Sequence, residues 1–514
     1  MKYLIRYVAI GLLCVSFGYN IYSQDIILSK GRSITHIAGE SSYPYGVSVS
    51  DSGWILLASS EWVSVHSPNL TEVFGVSPEN LFQRNNVFSL RCGYFPDKDL
   101  FIIAALVSNE SRPTELALAY FKADSTTTSW NTYFYSSDLE SNGCNLKNLN
   151  IGVYAQEMII TAEVIDTFGS VLKNAVLQMS LRNIEQAKPS YLNWKNLPTF
   201  FVGTPGVLCP VKSRSGPPYF IISNQELSFY QTFCYAISDT IGGAAEITGY
   251  TFTVPTYYEP VAFQPSGSPL LTSGSTYVRD AYIHDSTLFF TYSTQKDNFS
   301  ISKVVKANLR NFQTEILNTQ DSVERACFPT IAPIYQNGNI IGSVLSQKRY
   351  PEGGFGYSEA YGLGLVPTTP TVVQLKSSTD VPDSNDWGIV SQIVSSFTKD
   401  VSWALTSFHK NNKLQTTVIE LISQTVSRLD QDFSPEVELF PNPAYRDFSI
   451  ILSQKHQIAK SIRVYNILGE IIYNKKINHE PTLNVVVSDW LKGIYFVEIQ
   501  FVNGDYARKK LVVH

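Results

Sequence analysis

The sequence predicts an all-β protein: a seven-bladed β-propeller over residues 24–428, a linker at 429–436, and a small Ig-like β-sandwich over 437–514. Three observations carry this prediction. Aromatic residues reach 13% of the chain while charged residues are only 16%, a balance that suits pleated, half-buried strands rather than solvated helices. At 514 residues the chain is too long for one ordinary core and needs two domains, or a repeat array with a small domain. Between about Ile34 and Ser427 one strand pattern returns seven times and then stops.

The N-terminus comes first. Lys2 and Arg6 precede an apolar run from Tyr7 to Phe17, and Ser23 supplies a small residue for cleavage before Gln24, the layout of a secretory signal peptide over 1–23. The run falls short of the roughly 20 apolar residues that cross a bilayer, and Leu13 stands where a lipoprotein cysteine at Cys14 needs a small neighbour. Without this peptide 37 cations face 44 anions, so the chain has no basic footprint for nucleic acid.

Each repeat is recognised by its central strand. These are Trp54–Ala58, Phe101–Ala105, Met158–Ala162, Tyr219–Ile222, Leu288–Tyr292, Ile340–Val344 and Trp403–Ser407, spaced by about 45 to 70 residues, near the period of a propeller blade with loop insertions. Tight turns precede most of them: Asp51-Ser52-Gly53, Pro96–Asp99, Ser215-Gly216-Pro217, Asp285-Ser286 and Asn337-Gly338-Asn339. The continuous apolar character of the central strands predicts burial on both faces. Third strands at Glu115–Tyr120, Ala175–Met179, Ser302–Lys306 and Thr416–Leu421 are read as alternating, half-exposed strands. Six or eight blades, or a pair of β-sandwiches, remain alternatives to seven blades.

Cys92, Cys144, Cys209, Cys234 and Cys327 follow the signal peptide, an odd number without metal-ligand spacing; no CxxC or HExxH occurs, and no cofactor or metal is implied. Buried thiols are expected for most, with at most two bridges. Cys209 and Cys234 fall on the first and third strands of one unit, about 9 to 10 Å apart, beyond the reach of about 7 Å that a disulfide allows.

An acidic, proline-containing stretch, Leu429–Glu436, then breaks the pattern. Pro441 and Pro443 remove two backbone donors around Asn442, so this segment enters the last domain as rigid extended chain. Strand candidates follow at Phe448–Leu452, Ser461–Tyr465, Ile471–Tyr473, Leu483–Val487, Gly493–Ile499 and Arg508–Val513, with turns at Asn466–Gly469 and Asn503–Asp505. The strand pattern alone also fits a fibronectin-like accessory sandwich. The order and spacing of the blocks, Leu439–Pro443, Val464–Glu470, Leu491–Phe496 and Lys509–Val513, closely resemble the type A C-terminal sorting domain of the type IX (Por) secretion system of Bacteroidetes.

The resemblance covers about 15% of the chain and transfers to matching positions only: Pro441, Asn442 and Pro443 in the opening block, Gly469 in the middle turn, Gly493 and Tyr495 in the Gly-Ile-Tyr block, and Lys509 and Lys510 in the final strand. It implies recognition by the outer-membrane translocon, removal by a sortase-like peptidase with cleavage between about Arg428 and Glu438, and attachment to surface lipopolysaccharide or release. The expected location is therefore the outer cell surface or the medium.

Within the propeller segment, candidate chemistry is sparse. His36, His66, His284 and His409 lie beside no nucleophile motif and are read as surface or loop residues, and no GxSxG occurs. Val49–Trp54 is similar to a sialidase Asp box but lacks its serine and does not recur, so it reads as a hairpin turn. Asp380, Asp383, Asn385 and Asp386 are the densest oxygen cluster, yet depart from calcium-loop spacing and read as a solvated loop. Tyr43–Tyr45 and Glu352–Tyr357 are aromatic segments that could contact a glycan or peptide. Asp124–Thr126, Asp239–Ile241, Asp285–Thr287 and Asp321–Val323 resemble the O-glycosylation acceptor of Bacteroidetes. The reading is a secreted or surface-displayed binding or structural platform with no assigned catalytic residue; the alternative is a hydrolase or lyase acting on polysaccharide or peptide.

Overall fold

The computed structural model describes residues 24–514 except 38–43, 124–129, 186–190, 194–207, 223–230, 238–245, 255–277, 318–324, 351–356, 365–370, 379–391, 397–400, 428–436, 453–458, 478–481, 502–505 and a few shorter stretches between them. The signal peptide, the linker and the Asp380–Gly388 cluster thus lie outside the described residues. So do most of the other loop motifs named above; Asp285–Thr287 is described. The chain divides into two compact units, Met1–Val426 and Ser427–His514.

Strand β1 (Gln24–Ile37) opens the first unit. Six four-stranded meanders follow: β2 (Pro44–Val49), β3 (Ile55–Ser59), β4 (Val63–His66) and β5 (Glu72–Val76); β6 (Val87–Phe95), β7 (Leu100–Asn109), β8 (Arg112–Lys122) and β9 (Asn131–Ser136); β10 (Asn145–Val153), β11 (Glu157–Ile165), β12 (Val171–Ser180) and β13 (Tyr191–Asn193); β14 (Cys209–Pro210), β15 (Tyr219–Ile222), β16 (Gln231–Ile237) and β17 (Ile247–Thr253); β18 (Asp280–His284), β19 (Thr287–Lys296), β20 (Phe299–Asn308) and β21 (Thr314–Ile316); β22 (Arg325–Gln336), β23 (Asn339–Tyr350), β24 (Tyr357–Gly364) and β25 (Thr371–Ser377). A seventh sheet has the order β1-β28-β27-β26, from β26 (Gln392–Ser395), β27 (Val401–Lys410) and β28 (Lys413–Ser427). Its outer strand is the N-terminal one.

Side-chain alternation then builds the ring. On β7 and β8, Ile102, Ala104, Leu106, Leu116, Leu118 and Tyr120 face the third sheet, while Phe101, Ile103, Ala105, Val107, Ala117, Ala119 and Phe121 face the first. Corresponding apolar layers lie between sheets three and four, four and five, five and six, and six and seven. A last layer joins Val47, Val49 and Ile55 to Trp403, Leu405 and Val418, which brings the seventh sheet against the first. The architecture is a β-propeller whose cores are the spaces between neighbouring sheets.

All seven expected central strands lie on the second strand of a sheet. Two expectations need correction. Third strands Leu116–Phe121 and Asn174–Met179 are buried on both faces, because their alternation is of size or polarity between two interfaces rather than between core and solvent, whereas Lys303 and Lys306 of Ser302–Lys306 stay partly accessible. Exposure appears instead on fourth strands such as β9 and β17. The repeat was also expected from about Ile34, whereas Gln24–Ile37 is already a full strand and belongs to the last sheet.

Strand β1 is fastened by specific contacts. Arg32 donates through Nε and Nη2 to Glu420 Oε2 and Oε1 at 3.0 and 2.9 Å, and its backbone N–H adds a bond of 3.1 Å. Ile26 lies against Gly342 and Gly362 so closely that a Cβ at Gly342 would stand 2.1 Å from its Cδ1. A short helix α1 (Pro78–Phe82), capped by Ser77 Oγ on Asn80 N–H at 3.2 Å, precedes the second sheet.

In the second unit, β29 (Val437–Phe440), β30 (Asp447–Leu452) and β33 (Thr482–Val486) form a three-stranded sheet, and β31 (Ala459–Asn466), β32 (Ile471–Lys476), β34 (Gly493–Phe501) and β35 (Tyr506–Val513) form a sheet of order β32-β31-β34-β35. One apolar core including Phe448, Ile450, Val464, Leu483, Val497 and Leu511 lies between them.

Candidate functional site

Two places gather residues of functional interest, one in each unit. In the propeller a cavity of about 170 Å3 is lined from all seven sheets, by residues such as Val49, Tyr94, Val153, Ser213, Ile283, Tyr335 and Val394. The inner strands crowd its wall in two ways. On one half, glycines permit close approach: a Cβ at Gly46 would meet Cys92 Sγ at 2.8 Å, one at Gly93 would meet Val153 Cγ2 at 2.5 Å, and one at Gly152 would meet Pro210 Cβ at 2.8 Å. On the other half a lysine does the joining. Lys212 Nζ donates to Asp280 Oδ2 at 2.6 Å, to Ile331 O at 3.1 Å and to Ile393 O at 3.0 Å, linking the inner edges of sheets four to seven.

Asp280 also accepts backbone N–H bonds from Ala281 and Ile331 at 3.0 and 3.1 Å. Burial pushes its carboxyl above the ordinary carboxylate range, opposed by the Lys212 charge and by these bonds. All three ammonium protons therefore have acceptors, and the pair has a structural role. Cys92 borders the cavity, but burial pushes its thiol up to about 12, which leaves no thiolate nucleophile at neutral pH. Tyr94 donates to Asp99 Oδ1 at 2.7 Å.

Other buried charges lie between sheets six and seven or within sheet six. Arg349 pairs with Glu359 and Tyr361 among buried groups on β23 and β24, and Lys348 donates to Thr406 Oγ1 at 2.7 Å. Burial lowers Lys348 to about 7. None of these groups is open to a substrate, since their residues are at most 4% exposed.

The histidines, read as surface or loop residues, are all on strands: His36, His66, His284 and His409, with the His284 side chain accessible there. His66 is buried, with Nε2 3.0 Å from Ser64 Oγ. The Val49–Trp54 segment makes the β2–β3 turn, with Gly53 at φ +92° and Trp54 N–H donating to Ser50 Oγ at 3.0 Å. Cys209 and Cys234 are both paired with Ile221 on the strand between them, the separation expected from their strand positions. All five cysteines are buried.

In the C-terminal unit the predicted motif residues, scattered over seventy positions, come together at one end of the four-stranded sheet. Asn442 Oδ1 accepts from Val512 N–H at 2.9 Å and its Nδ2 donates to Lys510 O at 2.8 Å, so the amide stands in for a strand partner of β35. Pro441 and Pro443 flank it, and Ala444 N–H then donates to Val512 O at 2.8 Å. Gly493 pairs with Val513, Tyr495 with Leu511, and Lys510 and Lys509 with Phe496 and Val497. Tyr495 also pairs with Asn466, whose turn closes through Gly469 at φ +82°. The Tyr495 hydroxyl donates to Leu491 O at 2.6 Å and its ring packs on Trp490. Sequence reasoning grouped these residues by resemblance; the Asn442 bridge to Lys510 and Val512 was not visible in it.

Residues 438–514 match a family described as the secretion system C-terminal sorting domain. No curated protein matches the chain. Among solved structures, Trypanosoma rangeli sialidase is similar at 9% identity and a TM-score of 0.38, over 76% of this chain and 60% of that one. The WD40 domain of SCAP from fission yeast is similar at 7% identity and a TM-score of 0.35, over 77% and 95%. A Synechocystis apocarotenoid oxygenase is similar at 10% identity and a TM-score of 0.37, over 65% and 71%. The chain thus spans about 60% of the sialidase it matches.

Proposed function

We propose that this protein, whose C-terminal unit is a secretion system sorting domain, enters the periplasm with a cleaved signal peptide at 1–23 and crosses the outer membrane by type IX secretion. The propeller then serves at the cell surface or in the medium as a rigid binding or structural platform. The observation that carries the sorting role is the assembly of Asn442, Gly469, Gly493, Tyr495, Lys509 and Lys510 at one end of one sheet. The translocon is the proposed reader of that end. A sortase-like peptidase would cut between about Arg428 and Glu438, followed by attachment to lipopolysaccharide or release.

For the propeller, the committed state of Lys212 and Asp280 supports binding over catalysis, because the charges at the cavity hold the ring together. Its proposed ligand is a glycan or protein. A hydrolase or lyase acting on polysaccharide or peptide is the second reading. Deleting residues 439–514 should leave the chain in the periplasm; normal secretion of the truncated chain would sink the sorting role. Glycan and peptide arrays with residues 24–428, run beside a polysaccharide and peptide cleavage screen, separate the two propeller readings: binding without turnover is expected, and turnover would favour the enzyme.

A further inference from the structure

The C-terminal unit is unusually greasy outside. Of fifteen large apolar side chains exposed among the described residues, nine lie after Ser427: Phe440, Tyr445, Ile467, Ile471, Ile472, Val486, Leu491, Ile494 and Phe496. That density in so small a domain marks an interface rather than scattered surface residues. Register shows that part of the set forms a continuous strip. Ile471 pairs with Tyr465, Tyr465 with Phe496, and Phe496 with Lys510, while Ile494 pairs with Val512 one step along the same face. The intervening Tyr495 and Val497 point into the core, so Ile494 and Phe496, at 40% and 47% exposure, project from the outer face.

Charge describes what would cover the strip. Residues 437–514 contain ten Lys and Arg against seven Asp and Glu, whereas residues 1–436 contain 29 against 37. Exposed Lys510, paired with Phe496, and Arg463, two residues from Tyr465 on β31, border the strip. Two carboxylates are nevertheless built into this face: Glu470 beside Ile471, held by Asn466 Nδ2 at 2.7 Å, and Glu498, which lies 3.9 Å from Arg463. Glu498 is buried and accepts from the Tyr465 hydroxyl at 3.1 Å, whereas exposed Glu470 places a negative charge beside Ile471, which opposes an anionic lipid surface. That charge suits instead a protein surface on which individual charges find partners, with aromatic anchors at the centre and charges on the rim.

We propose that the Ile471–Tyr465–Phe496 strip, with Ile494, is the surface by which the sorting domain docks on its secretion partner, a folded protein face of apolar groups ringed by carboxylates. The proposal rests on the sorting role and names the side of the domain that performs it. Anchors of this type dominate such contacts, so removing two should weaken docking by an order of tenfold or more.

The test uses the full chain in its native host. The Phe496→Ser, Ile494→Ser double variant and, separately, Ile471→Ser should accumulate in the periplasm, while Val486→Ser, more exposed but on the other sheet, should be secreted normally. Protection of the Tyr495 and Val497 amides from hydrogen exchange shows that the variants are folded. Lys510→Glu should also be retained, and its normal secretion would overturn the acidic rim. Normal secretion of the folded double variant would overturn the docking surface, even if deletion of 439–514 still blocks export and the sorting role stands. Flotation of the wild-type chain with anionic vesicles, lost in the double variant, would overturn the proposal in favour of a lipid surface.

Discussion

Lys212→Ala removes an ammonium that joins the inner edges of four consecutive sheets, and the structure fixes what is left behind. Three acceptors lose their donor: Asp280 Oδ2, Ile331 O and Ile393 O. Asp280 keeps two backbone N–H bonds and the neighbouring Arg279 charge but loses its hydrogen-bonded counter-charge, a change that costs about 3 kcal/mol or more when one partner of a buried pair is deleted. Because the Lys212 side chain is 32% exposed, the lower end of the usual range of about 3 to 5 kcal/mol applies. The loss should depend on pH. Burial already raises the Asp280 carboxyl above its unfolded value of 3.8, and loss of Lys212 raises it further. A group shifted in this direction contributes stability that is present below the unfolded value and lost as pH rises through the folded one. The deficit of the variant should therefore be small in acid and complete at neutral pH. Urea unfolding of the mature chain, followed at the propeller transition across that range, measures it. Lys212→Met combined with Asp280→Asn should cost less than the sum of the single changes by about 1 to 3 kcal/mol, the signature of coupled residues. A neutral-pH loss under about 1 kcal/mol, or strict additivity, would refute the ring-joining role.

Two further outcomes follow from other groups. Lys348→Met should stabilise the propeller near neutral pH by up to a few kcal/mol. Burial holds Lys348 near 7 in the folded chain against 10.5 unfolded, so wild-type stability should fall as pH drops from about 10.5 to about 7 and the variant should lack that slope; equal slopes in parallel urea titrations would argue against it. Asn442→Ala should lose two hydrogen bonds to β35, about 1 kcal/mol each at most, seen as faster exchange of the Val512 amide with the Tyr495 amide unchanged.

Central strands were legible because strands such as Phe101–Ala105 and Met158–Ala162 are buried on both faces, which writes an unbroken apolar run into the chain. Third strands were misjudged because burial on both sides also tolerates polar residues such as Asn174 and Gln178, so alternation in polarity was mistaken for a solvent face. The N-terminal strand escaped notice for a different reason: nothing within Gln24–Ile37 says that its partner lies 388 residues away at Glu420. The same applies to Lys212 and Asp280, which are 68 positions apart and meet only because the sheets close into a ring. In the tail the motif residues were found by resemblance, while Asn442 shows why they belong together, its amide completing the hydrogen bonding of the last strand.

The seventh sheet unites the first strand of the propeller with its last, Lys413–Ser427, and the sorting unit begins at Ser427. Ring closure thus waits until almost the whole propeller has been synthesised, since non-local pairing of this kind gains nothing until both ends exist. Any chain broken off before that point lacks the strand that receives Gln24–Ile37 and lacks the export signal as well. The strand that completes the ring is therefore made before the sorting unit, so a chain that carries the whole sorting unit also carries every strand of the ring.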